Sequence, residues 1–97
     1  MKKLDEIKKI IEKSKVEAAQ KYKAEIIGIF GSYVRGEQKE ESDIDILVRF
    51  GEDATLFDFV GLSLFLEEIL GIKVDIVPQD TIRDEIREKI MNEVILV

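Results

Sequence analysis

The chain has 97 residues, 45% of them hydrophobic and 37% charged, which predicts one globular domain over residues 1–97 with a single core. Cysteine and histidine are both absent, so disulfides and thiolate or imidazole metal sites are excluded, and any metal must take oxygen ligands, as Mg²⁺, Mn²⁺ or Ca²⁺ do. The formal net charge of −6 argues against direct binding of nucleic acid, which asks for a basic face.

Residues 3–22 predict an amphipathic helix: Leu4, Ile7, Ile11, Ala18 and Tyr22 recur at helical spacing between Lys and Glu. Charge is uneven here. Residues 1–23 hold eight lysines and four acids, and the remainder holds seven basic and seventeen acidic residues. The basic excess fits a solvated helix face. No continuous apolar run marks a signal peptide or a membrane span, and a cytoplasmic location is the expectation.

Ile26 to Phe30 is a short apolar run closed by Gly31, a buried strand. Ser32 to Arg35 predicts one helical turn ended by Gly36. Residues 37–42 are a polar loop. Asp43 to Phe50 alternates, with Ile44, Ile46 and Val48 on one face and Asp43, Asp45 and Leu47 on the other. Gly51 to Ala54 is a loop, and Thr55 with Asp58 forms a capping box. The helix over 56–70 is apolar on more than one face, so it is either a core helix or a surface shared with a partner. Gly71 caps it. Ile72 to Val77 predicts a strand stopped by Pro78. Asp80 is expected to cap a last helix through Asn92, with Ile82, Ile86 and Ile90 inward, and Glu93 to Val97 to add a strand. The α-β-α-β-α-β-α-β order predicts a small sheet flanked by helices, an α/β (α+β) fold.

Two carboxylates at i and i+2 on a strand, Asp43 and Asp45, project to the same side. Unpaired, they repel and are costly to bury, and a divalent cation removes that cost. Gly31-Ser32 after a strand offers a backbone N–H and a hydroxyl to phosphate. Asp75, alternating with Val74 and Ile76, supplies a third ligand from another strand. A phosphate cradle beside a carboxylate-held metal is the equipment of phosphoryl or nucleotidyl transfer. Each piece alone is bland: an isolated Asp-x-Asp is a solvated turn, and Gly-Ser a loop. Arg35 reads equally as a surface ion pair or a phosphate contact. Lys73 is another such candidate beside Asp75, more readily a surface cation.

The pattern G-S-x-x-R-G-x-x-x-x-x-S-D-x-D, Gly31 to Asp45, resembles the minimal nucleotidyltransferase (MNT) branch of the DNA polymerase β-like nucleotidyltransferase superfamily. "TLFDFVGLSLFLEEILGIKVDIV" resembles that family's hydrophobic helix and third-aspartate strand, and "IREKIMNEVILV" its closing helix and strand. The resemblance implies a mixed sheet flanked by helices, two Mg²⁺ ions (Mn²⁺ as a substitute) and transfer of AMP from ATP. It implies Asp43, Asp45 and Asp75 as the catalytic, metal-holding residues, with Gly31, Ser32 and Arg35 at the nucleotide. It implies a HEPN-family toxin as partner, in a hetero-oligomer where the MNT protein is the antitoxin and adenylylates a tyrosine of the HEPN ribonuclease. Against this enzyme reading stands a binding module that neutralises its partner by covering it, through the helix around Phe57, Phe59 and Phe65. A small-molecule nucleotidyltransferase or a polymerase would need a further substrate-binding domain.

Overall fold

The computed structural model describes residues 2–97. The elements run α1 (Leu4–Tyr22), β1 (Ala24–Phe30), α2 (Ser32–Arg35), β2 (Ile44–Phe50), α3 (Leu56–Leu70), β3 (Val74–Pro78), α4 (Asp84–Glu93) and β4 (Ile95–Leu96). The four strands form one mixed sheet in the order β3-β2-β1-β4. β1 pairs antiparallel with β2 and β4, and β2 pairs parallel with β3. A parallel pair needs a crossover, and α3 supplies it. The architecture is the helix-flanked mixed sheet expected.

α1 and α3 cover one face of the sheet. On α1 the buried residues Ile7, Ile11, Ser14 and Ala18 follow helical spacing. The Ser14 hydroxyl donates to the Ile10 carbonyl at 2.8 Å, so this buried polar group is satisfied. On α3, Leu62, Leu66 and Leu70 stack one turn apart and meet Ile26, Ile44, Ile46 and Val48 in the main core. A fully buried leucine of this kind contributes about 1.5–3 kcal/mol. The opposite sheet face carries a smaller core of Phe30, Leu47 and Ile82, with Ile27, Val77, Ile90 and Val94 packed around it. α4 lies over that second core and has no fully buried residue of its own.

One close approach seats the fourth strand, and caps at both ends set the length of α3. A Cβ on Gly28 would collide with the Ile95 carbonyl, so glycine lets β4 come against β1. The α3 N-terminus is closed by the Asp58 carboxylate accepting from the Thr55 N–H at 2.9 Å, and Gly71 ends the helix at φ 68°.

Several boundaries differ from the sequence-based expectations. β1 starts at Ala24, because Ala24 and Glu25 pair with Phe50 and Arg49. Asp43 precedes β2 rather than opening it. Pro78 ends β3 instead of standing beyond it; β3 is an edge strand, where the missing N–H costs no ladder bond. Asp80 sits in a 3₁₀ turn, Gln79–Thr81, and α4 begins four residues later at Asp84 after Arg83. Ile82 is therefore buried from the turn, not from the helix, while Ile86 is 48% exposed and does not point inward. Among the described residues no helix is long and apolar enough to cross a membrane.

Candidate active site

The sheet topology builds one row of residues across three strands. Phe30 at the end of β1 pairs with Asp45 on β2, and Asp45 pairs with Asp75 on β3. Register partners project to the same face. Both carboxylates therefore point to the α4 side of the sheet, away from the α1–α3 core. Leu47, two residues beyond Asp45, is the buried floor beside them.

The backbone after Phe30 turns over this row. Gly31 adopts φ 84° and ψ −154°, a conformation essentially reserved for glycine. A Cβ at Gly31 would fall on the Asp45 carboxylate, so only hydrogen allows the loop to close on that side chain. α2 follows at once and ends at Gly36, φ 73°.

An open cleft of about 1130 Å³ runs from this loop to α4. Gly31, Arg35, Asp45 and Asp75 line it from the sheet side, and Arg83, Ile86, Lys89 and Glu93 from α4 and the residue before it. Asp45 is half-buried, and its carboxyl is pushed up to about 6. Burial is the main cause; the Asp75 charge, hydrogen bonding to Asp75 and the Asp43 charge add to it, while Arg35 opposes. Asp43 and Ser32 stand outside the cleft wall. Asp43 is exposed and faces Tyr33, whose buried phenol is raised by desolvation first and by the Asp43 charge second. Arg35 donates to Glu37 at 2.6 Å and to Glu93 at 2.7 Å. Lys73 is not brought here; it opens onto a separate hollow with Tyr33, Glu40 and Ser42.

The nucleotidyltransferase domain model matches residues 4–97. Protein adenylyltransferase MntA of Thermococcus cleftensis is 43% identical over 94 residues, covering 97% of this chain and 95% of that protein. The chain belongs to the nucleotidyltransferase domain family. A candidate protein adenylyltransferase of Methanocaldococcus jannaschii is 52% identical over 82 residues, 84% of this chain and 95% of its own. A solved structure of a candidate minimal nucleotidyltransferase superposes with a TM-score of 0.82 at 34% identity, covering 99% of this chain and 97% of that one. A toxin–antitoxin crystal structure with AMP-PNP shares the fold at a TM-score of 0.67 and 24% identity, over 88% of this chain and 70% of that one.

The donor set of this chain fits a hard divalent ion. All three candidate carboxylates offer oxygen, and crowding at Asp45 is the strain a cation would relieve. Among the described residues, however, no three acidic side chains converge as a ready cage. Glu93, expected from the sequence to open the last strand, instead ends α4 and reaches into the cleft. Glu93 accepts from the Gly31 N–H at 3.0 Å as well as from Arg35. Nothing local to residues 86–97 signals this, because both partners are more than fifty positions away in the chain.

Proposed function

We propose that this nucleotidyltransferase-family protein is the antitoxin of a toxin–antitoxin pair and a protein adenylyltransferase, moving AMP from ATP to a tyrosine hydroxyl of a HEPN-family ribonuclease. The observation that carries the reading is the Gly31 loop closed on Asp45 with Asp75 in register beside it. The MntA relative's name supports the activity, and the shared fold of a toxin–antitoxin assembly supports a toxin partner.

In this reading the acceptor oxygen attacks the α-phosphorus of ATP. A new P–O bond forms in line with the breaking bond to the β-phosphate, and pyrophosphate leaves. The Gly31 N–H and the Ser32 hydroxyl hold the phosphate tail, and Arg35 balances its charge. Asp43, Asp45 and Asp75 would hold two Mg²⁺ ions, which supply positive charge to the phosphate oxygens and make the acceptor hydroxyl more acidic. Asp75, at the edge strand beside the open cleft, takes the acceptor proton on its carboxylate. Phe30, Leu47 and Ile82 keep water from beneath the carboxylate row. The protein acts in the cytoplasm, alongside its partner.

The test is incubation with Mg²⁺, ATP and the cognate partner, followed by intact-mass spectrometry. The partner should gain mass in steps of one adenylate, and Asp45→Asn should abolish them. A second reading, neutralisation by covering alone, is favoured by the exposed apolar side of α3: Leu56, Phe57, Val60 and Leu64. A partner whose toxicity is blocked while its mass never changes would select that reading.

A further inference from the structure

Glu93 is the last residue of α4, and its carboxylate reaches back into the site. One oxygen accepts from the Gly31 N–H at 3.0 Å, and the other from Arg35 Nη1 at 2.7 Å. The Glu93 side chain is 17% exposed, so these bonds are partly shielded from water. Burial works to raise its pKa, but the Arg35 guanidinium, the Gly31 N–H and the Lys89 charge together hold it below the usual carboxylate range. It is thus an anion seated on two donors that the proposed function assigns to the triphosphate.

A backbone N–H makes one good hydrogen bond at a time. A phosphate oxygen that takes the Gly31 N–H must therefore take it from Glu93. Arg35 has donors to spare, but Glu93 would then stand as a like charge beside the phosphate. We infer that Glu93 is an internal anion that occupies the phosphate cradle of the nucleotide-free protein and is displaced when a triphosphate enters. The inference rests on the reading of Gly31 and Arg35 as phosphate-binding groups.

The element that carries Glu93 suits such a role. α4 has no fully buried residue. Its hold on the body comes from Ile90 and the flanking Ile82 and Val94, and from Arg87 donating to the carbonyls of Gln79 and Ile82. Its C-terminal end runs straight into β4, which pairs with β1, so displacement asks only for the Glu93 side chain to rotate away while the backbone stays in place. While seated, Glu93 keeps the Gly31 N–H aimed inward and satisfied, so the glycine loop is already shaped before nucleotide arrives. The cost is competition with the ligand for the same donor.

Calorimetric titration of Mg²⁺–ATP into wild type, Glu93→Gln, Glu93→Ala and Glu37→Gln separates the outcomes. Glu37 also pairs with Arg35 but does not touch Gly31. Glu93→Ala should bind nucleotide roughly tenfold tighter than wild type, the scale of one charge-assisted hydrogen bond no longer competed for. Glu93→Gln should tighten binding less, and Glu37→Gln by under about twofold. Should Glu93→Ala fail to fold, Glu93→Gln, which removes the charge and keeps the size, carries the test. In amide NMR, the Gly31 resonance should exchange slowly in nucleotide-free wild type and fast in Glu93→Ala. Weaker or equal nucleotide binding in folded Glu93 variants would overturn the inference and leave the proposed function standing. Equal tightening in Glu37→Gln would overturn it as well, reducing the effect to general charge. Absence of nucleotide binding in wild type and every variant would remove the phosphate-site reading, and this inference with it.

Discussion

Asp45 on β2 and Asp75 on β3 are register partners in a parallel strand pair, with their carboxyls on the same face of the sheet. Burial and the neighbouring charge push Asp45 up to about 6. A folded-state value above the ordinary one means that the stabilising contribution is present at low pH and lost as pH rises through about 6. Above that, two carboxylates face each other unprotonated. Asp45→Asn should therefore melt higher than wild type at pH 7.5 in chelator, and the gap should close towards pH 4. With solvent screening discounted, the gain is about 1 kcal/mol, or about 4–8 °C for a chain this size. A variant that melts lower than wild type at pH 7.5 would mean that the pair is not strained.

The glycine loop gives a sharper test of local geometry. Gly31→Ala should cost about 1–3 kcal/mol for its backbone conformation alone. It should also force Asp45 aside and remove adenylylation. Gly36 also has a positive φ, but nothing lies near its Cβ direction, so Gly36→Ala should cost only about 1 kcal/mol. Denaturant melts of both variants measure the difference, and equal costs would place the Gly31–Asp45 contact in error.

Metal binding should depend on the carboxylates. Mg²⁺ or Mn²⁺ titrated with ATP present should give heat with wild type and none with the Asp43→Asn/Asp45→Asn double variant. The same heat from both proteins would remove the aspartates as ligands.

The partner surface is testable without touching the site. Phe57 is 88% exposed, so Phe57→Glu should change stability by less than about 0.5 kcal/mol. It should nonetheless weaken binding to the toxin partner proposed above, because a buried carboxylate would replace an apolar contact. Leu66→Ala, by contrast, empties a core position and should cost about 2–5 kcal/mol. Complex affinity that is unaffected by Phe57→Glu would clear this end of α3 of any contact with the toxin.

α3 also shows how far a sequence pattern reaches. Its excess of apolar residues left two readings open, core or partner surface, and the structure divides them by face. Leu62, Leu66 and Leu70 are core; Leu56, Phe57, Val60 and Leu64 are exposed. Phe59 and Phe65 fall between, packed against Phe50 and Tyr22 at ring distances of 5.9 and 5.6 Å. Of the three phenylalanines expected on a partner surface, only Phe57 is free. Composition counts apolar residues, but only neighbours decide which are covered.

Local chemistry was legible from the chain alone. Helical spacing in α1, alternation through β2, the Thr55–Asp58 cap and the glycine after β1 are each set within a few residues, by sterics and side-chain direction that need no distant partner. The lack of histidine and cysteine likewise restricts any metal site to oxygen ligands. Tertiary structure decided what lies across from what. The pairing of Asp45 with Asp75 depends on strand register, the second core pulls Ile82 inward ahead of α4, and Glu93 finds Gly31 and Arg35 only when α4 lies over the sheet. Those contacts join residues far apart in the chain, and their energies come from burial and charge that exist only once the elements have packed.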